Sequence, residues 1–223
     1  MLPLTQTTPK CLLPFRNTTI LEYQLNMLRE NGVCEIIIVN GFAAEQIEKV
    51  AGRDIVYIHN RHYLTTNSLY SLFLARHHLD ADILLLNSDV LYDGEILKVL
   101  LQEESPSAIA VDFNKPLVNG EMNVRISNGY VIEISKTIPM RYADGQSAQL
   151  AKFRKKSVEE LRNEVIRLVY NSQLNSFPTD AYGPIIKGDG LRAVDVQDRA
   201  WLELDTAEDY EYLCNQFHEK IIG

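Results

Sequence analysis

Residues 83–93 read ILLLNSDVLYD, four apolar positions in succession followed by Asn87, Ser88 and the carboxylate of Asp89. A strand with one wet face alternates apolar and polar residues; an unbroken apolar run is the pattern of a strand covered on both faces. Working outward, Glu35-Ile36-Ile37-Ile38-Val39-Asn40 and Asp54-Ile55-Val56-Tyr57-Ile58 have the same character. Helical patterns separate these runs. Ile20, Tyr23, Met27 and Leu28 share one face, with Thr18 or Thr19 as cap and Gly32 as stop. Residues 68–79 and 94–102 follow. Strands alternating with helices predict βαβ units, hence an α/β fold with a mainly parallel sheet flanked by helices.

After Pro106 the texture changes. Ala108 to Val111 reads as a strand. Met122–Ile126 and Tyr130–Ile134 flank Ser127-Asn128-Gly129, and Asn-Gly favours the positive φ angles of a tight hairpin turn. A small β-hairpin insertion is expected there. Val158, Leu161, Val165, Leu168 and Val169 predict a helix over 157–173, and a terminal helix is expected over 205–217. With 223 residues and no linker, repeat or low-complexity tract, the chain reads as a single domain over 1–223.

The formal charge of −8 argues against nucleic-acid and anionic-membrane partners, which select basic faces. One basic stretch, Lys152, Arg154, Lys155 and Lys156, reads as a solvated loop or helix start. The three cysteines, Cys11, Cys34 and Cys214, form no CxxC pair and no zinc spacing. No apolar run reaches the ~18 residues needed to span a bilayer. A cytoplasmic protein with reduced thiols is the expectation.

Few residues could carry chemistry. Asp89 follows a buried strand, and open parallel sheets collect ligands at strand carboxyl ends. It could hold a hard divalent ion or cap the turn into Tyr92-Asp93-Gly94. Glu203 and Asp205 alternate with Leu202 and Leu204, so on a strand both carboxylates face one way; Asp205 could equally be the N-cap of the helix that follows. Lys10 lies between Pro9 and the apolar turn Cys11-Leu12-Leu13, where it suits phosphate or is a plain loop lysine. Lys136 ends the second hairpin strand. Asn67 and Ser71 open a helix whose free N–H groups could meet an anion, and Asn67 is also a good cap. His59, His62, His77 and His78 fit no ligand spacing. Trp201, Tyr92 and Tyr182 read as packing residues. No nucleophile–base pair stands out.

These pieces resemble a known family. LPLTQTTPKCLLPF (2–15), the Leu-Glu-Tyr helix and the isoleucine-rich strand ending at Gly41-Phe42 are similar to the start of the nucleotidyltransferases that activate sugar 1-phosphates and small phosphoesters. ILLLNSDVLYD resembles their metal-aspartate segment and WLELDTAEDYEYL (201–213) their closing Glu-x-Asp segment. TTNSLYSLFLA (65–75) and EMNVRISNGYVIEISK (121–136) are similar to the cytidylyltransferases acting on phosphocholine or 2-aminoethylphosphonate. ADGQSAQLAKF (143–153) matches less well, because Gln146 stands where that group tends to have an acid. The family's first strand and Gly-rich phosphate loop have no counterpart, since no glycine precedes Gly32.

The resemblance implies a single Rossmann-like nucleotidyltransferase domain using Mg²⁺. Asp89 and Asp205 would hold the metal, with Glu203 as a weaker third. Lys10 would meet the triphosphate and Lys136 the reacting phosphates, with Asn67 and Ser71 as lesser substrate contacts. The reaction implied is transfer of a nucleoside monophosphate, CMP from CTP, to a small phosphoester or phosphonate with release of pyrophosphate. A sugar-1-phosphate nucleotidyltransferase and a non-catalytic nucleotide- or protein-binding relative are the alternatives. A homodimer is compatible with this reading.

Overall fold

The computed structural model describes residue 1 and residues 3–221, with only the backbone of residue 218. Its backbone contacts group into two compact units, each assembled from separate stretches of chain: Met1–Arg61, Asn87–Lys98 and Arg199–Gly223 in the first, His62–Leu86 and Val99–Asp198 in the second. No helix among the described residues is long and apolar enough to cross a membrane.

The first unit runs β1 (Pro14–Phe15), β2 (Thr18–Thr19), α1 (Ile20–Glu30), β3 (Ile37–Asn40), α2 (Ala44–Ala51) and β4 (Val56–His59). Sequence capping signals act where expected. Thr19 accepts from Glu22 N–H while Glu22 accepts from Thr19 N–H, a closed capping box at the start of α1. Gly32 takes φ +80° just past its end, a conformation in which a side chain would be strained. β3 and β4 pair in parallel through α2, a βαβ unit. Ile37, Ile38 and Val39 are only half-buried, and among the described residues β3 has a ladder partner on one edge alone. The same unit later receives β6 (Val90–Tyr92) and β12 (Trp201–Glu203), which pair antiparallel, and α7 (Ala207–Asn215).

In the second unit, α3 (Ser68–Leu74) gives way to a short 3₁₀ turn at Arg76–His78 instead of continuing to 79. β5 (Ile83–Leu86) follows; α4 (Gly94–Gln102), whose residues up to Lys98 count with the first unit, leads to β7 (Ser107–Asp112), β8 (Asn123–Ser127), β9 (Tyr130–Ser135), β10 (Gly145–Phe153), α5 (Lys155–Tyr170), α6 (Gly183–Lys187) and β11 (Leu191–Asp195). The strand order is β5-β10-β7-β11-β9-β8, and the first residues of β10 also pair with β8. β10, β7, β11, β9 and β8 therefore form a closed circuit. A register break between Ser147 and Ala151, where Gln149 takes φ +61°, lets β10 serve two neighbours in turn. α5 begins two residues before the expected 157 and stops at Tyr170, since Ser172 at φ +62° turns the chain away. The β8–β9 turn has Asn128 and Gly129 at φ +53° and +79°, the conformation Asn-Gly predicts.

Two expectations need correction. The sheet is not mainly parallel: among the described residues only β3–β4 and β7–β11 run parallel, and the other ladders are antiparallel. Parallel neighbours need long crossovers, whereas the second half of the chain returns by hairpins and short loops. Lys152 is not solvated either. It lies in β10 at 7% exposure, and its ammonium donates to the carbonyls of Leu101 and Glu103. The core of this unit packs Leu69 and Leu72 from α3 and Val158, Leu161, Val165 and Leu168 from α5 on Ile109, Val111, Val124 and Phe153. Each fully buried side chain of this size contributes roughly 1.5–3 kcal/mol.

Thr19→Ala is expected to destabilise the fold by about 1 kcal/mol, the usual cost of a lost cap, measured as a lower denaturant midpoint. The Thr19 hydroxyl is the main reason the Glu22 carboxyl sits below its ordinary 4.5. That stabilisation is complete above 4.5 and disappears as the pH falls through the lower folded value. Glu22→Gln should therefore flatten that limb of the stability–pH curve; an unchanged curve would refute the capping role.

Candidate active site

The β6–β12 register builds the site. Leu202 pairs with Leu91 and Glu203 with Val90. One residue further along, the Leu204 N–H donates to the Asp89 carbonyl at 3.0 Å. Asp89 is thus fixed opposite Leu204, between Glu203 and Asp205. Val90, Leu91 and Tyr92 are wholly buried, which anchors the ladder and leaves the acids at its end. The side chain of Gln24 secures the other side of the loop: its amide donates to the carbonyls of Asn87, at 2.9 Å, and Val90, at 2.6 Å. One turn of α1 holds both contacts, because the neighbouring Tyr23 hydroxyl donates to the Tyr92 carbonyl at 3.0 Å.

One carboxylate oxygen each from Asp89, Glu203 and Asp205 lies within 4.8 Å of the others. The sequence expectation that Glu203 and Asp205 face one way thereby holds. The competing cap reading of Asp205 does not: Thr206 is the N-cap of α7, its hydroxyl accepting from Asp209 N–H, and the Asp209 carboxylate accepts from the N–H groups of Asp205 and Thr206. Asp93, not Asp89, caps the turn into α4, its carboxylate accepting from Glu95 N–H at 2.9 Å. Both acids are left for other work.

Lys10 stands among these acids. Pro9 leads into a single 3₁₀ turn, Lys10–Leu12, whose Cys11 and Leu12 are buried with Leu21, Leu25, Ile47 and Ile55. Those anchors fix the backbone, and the lysine side chain reaches outward. Its Nζ donates to Asp205 Oδ1 at 2.7 Å and lies 3.7 Å from Asp89 Oδ2. Burial alone would push the Lys10 pKa down, but the bond to Asp205 and the charges of Asp89, Asp205 and Glu203 outweigh it and hold it above the ordinary value. Burial pushes the Asp89 carboxyl up, with Lys10 opposing. Burial also pushes the Cys11 thiol up to about 12, so Cys11 stays protonated and is no nucleophile.

The remaining expected residues belong to the second unit. Asn67 caps α3, accepting from Ser68 N–H at 2.7 Å, as its plain reading requires. Ser71 is half-buried within α3. Lys136 follows β9 with its ammonium 5.3 Å from the centre of the Phe177 ring, a cation–π contact. Tyr92, Trp201 and Tyr182 are buried packing residues, as expected. Sequence reading missed Gln24. Its signal was a polar side chain one turn from Ile20 on the apolar face of α1.

A group of three carboxylates that already embraces a cation is chemically suited to a hard divalent ion, which takes oxygen ligands and one or two protein carboxylates. Replacing Lys10 by Met should expose this directly. The three acids would then repel without compensation, and the affinity of the nucleotide-free protein for Mn²⁺ should rise by about tenfold, ~1.4 kcal/mol, in a calorimetric or spin-resonance titration. Unchanged affinity would mean that the ammonium does not occupy the ion's place.

Known proteins resemble this chain in sequence and in fold. The profile of the MobA-like NTP transferase domain matches residues 5–163. The CTP:phosphoglutamine cytidylyltransferase of Campylobacter jejuni is 26% identical over 240 aligned positions, covering 95% of this chain and 93% of that protein. The choline-phosphate cytidylyltransferase of Streptococcus pneumoniae is 33% identical over 78 positions, 34% of each chain, so this match spans about a third of that relative. The solved structure of the CTP:phosphocholine cytidylyltransferase of Streptococcus pneumoniae superposes with a TM-score of 0.77 at 20% identity, covering 96% of this chain and 91% of that one, which shows a shared fold.

Proposed function

Because the chain belongs to the family of MobA-like NTP transferase domains, we propose that it is a cytidylyltransferase that moves CMP from CTP to a small phosphoester or phosphonate. The observation that carries this reading is the Lys10 ammonium set 2.7 and 3.7 Å from the carboxylates of Asp205 and Asp89, with Glu203 beside them. The relatives named for phosphoglutamine and phosphocholine support the base and the acceptor class.

The reaction is a displacement at the α-phosphorus. An oxygen of the acceptor's phosphate or phosphonate forms the new P–O bond, the bond to the β-phosphate breaks, and pyrophosphate carries away the electron pair. The obstacle is electrostatic, since two anions must meet. Two unit charges ~4 Å apart repel by about 4 kcal/mol at an effective dielectric of ~20. Asp89 and Asp205, with Glu203 as third, would hold Mg²⁺, which supplies charge neutralisation to the triphosphate when bound. Lys10 exchanges its carboxylate partners for triphosphate oxygens as the nucleotide enters, so its charge is used both to store the acids in place and to bind substrate. Gln24 acts through the Asp89 loop, as a positioning residue. For Lys136, as a cation at the reacting phosphate, and for Asn67 and Ser71, as substrate contacts, the proposal rests on their places in the sequence motifs.

The test is pyrophosphate release from CTP and Mg²⁺ with phosphocholine, 2-aminoethylphosphonate, phosphoglutamine and glucose 1-phosphate as acceptors. Turnover is expected with at least one of the first three. Asp89→Asn and Asp205→Asn should each lower kcat by about 100-fold or more, the scale of a lost transition-state charge contact, with unchanged circular dichroism. Near-normal turnover in either variant, or silence with every acceptor, would overturn the assignment.

A further inference from the structure

α1 lies along the segment that carries Asp89 and makes a row of contacts with it. Gln24 donates to the carbonyls of Asn87 and Val90, and Tyr23 to that of Tyr92. Met27, three residues past Gln24 and four past Tyr23, comes round to the same helix face. It meets the segment at Gly94, the first residue of α4. All of these residues belong to the first unit.

The contact at Gly94 leaves no room for a side chain. A Cβ built there would overlap the Met27 methyl group and stand 3.3 Å from the Met27 sulfur. Carbon atoms in contact normally sit about 3.5–4.0 Å apart. Gly94 is not among the residues with positive φ, so what it supplies is space and not an unusual backbone conformation. Methionine is a pliant side chain. Met27, however, is only 6% exposed, and a close-packed interior gives it little space to turn into. The group that must yield to a larger residue is then α1 itself.

The same stretch of α1 holds the Asp89 loop. The Gln24 amide lies 2.9 Å from the Asn87 carbonyl and 2.6 Å from that of Val90. N–H···O bonds extend to about 3.2 Å, so a retreat of the helix by ~0.5 Å breaks the first and weakens the second. We propose that Gly94 is a positioning residue for Asp89: its missing side chain lets Met27, and α1 with it, approach closely enough for Gln24 to hold the loop. The consequence for catalysis rests on the transferase reading, whereas the effect on the loop does not.

The experiment is Gly94→Ala in the full chain, read by NMR. The Leu204 N–H, which donates to the Asp89 carbonyl, should exchange with solvent about tenfold faster through local opening, and the Gln24 side-chain amide resonances should shift. Amides of the β3–β4 ladder in the same unit should keep their protection. A glycine that served stability alone would change both sets together and leave the Gln24 amide unmoved. Adding Met27→Ala removes the obstructing atoms and should return Leu204 and Gln24 to the behaviour of the unsubstituted protein. In pyrophosphate release, Gly94→Ala should lower kcat about tenfold with the KM for CTP within about twofold, the pattern of an interaction that matters in the transition state. Equal acceleration of Leu204 and the ladder amides, an unmoved Gln24 amide, a double variant without recovery, or an unchanged kcat would each overturn the proposal. Should Gly94→Ala fail to fold, the double variant decides: folding with the original Leu204 protection upholds the proposal, and failure to fold overturns it. The amide readouts need no turnover, so this proposal and the transferase reading fail separately.

Discussion

The hydrogen bond from Leu204 N–H to the Asp89 carbonyl is the contact on which the candidate site depends. It extends the β6–β12 ladder by one step beyond its last paired residues and so brings together acids more than a hundred positions apart in the chain. The ladder is held by apolar burial, chiefly Val90, Leu91 and Tyr92, which have no access to water. Charged groups at its end thus inherit their positions from hydrophobic packing behind them. Such an arrangement spares the carboxylates from having to stabilise the fold themselves, a task for which like charges at close range are poorly suited.

Collecting three acids in a small space costs electrostatic energy, and Lys10 offsets it. The lysine reaches the acids from a turn whose own position is fixed by Cys11 and Leu12 in the apolar cluster beneath. Gln24 and Tyr23 on α1 close the arrangement by holding backbone carbonyls on both sides of Asp89. The site therefore has a rigid frame of backbone hydrogen bonds and an interior of opposed charges, which is the kind of preorganisation that stabilises developing charge without rearrangement. A partly exposed ammonium, 32% accessible, can exchange its partners more readily than a fully buried one.

Much of the secondary structure was legible because its signals are local. The Thr19–Glu22 capping box, Gly32 past the end of α1 and the Asn128-Gly129 turn each depend on residues within a few positions of one another. β10 was not legible as a strand from its residues. Its sequence, GQSAQLAKF, alternates poorly and contains Gln149 at positive φ, and its two sets of partners lie far away in the chain. Lys152 shows the same limit. A lysine in a basic stretch reads as solvated, and only β10's place in the sheet sends its ammonium to two backbone carbonyls.

The sequence by itself determined the α/β class, the candidate acids Asp89, Glu203 and Asp205, and the fixed setting of Lys10, because strand burial and proline-bounded turns are written in neighbouring residues. It left Asp205 suspended between cap and ligand, and it gave no warning of Gln24. Those matters belong to tertiary structure. Which carboxylates gather about Lys10 and which carbonyls Gln24 meets are questions of strand register and helix docking, and these are settled by packing between segments that the linear order of residues keeps apart.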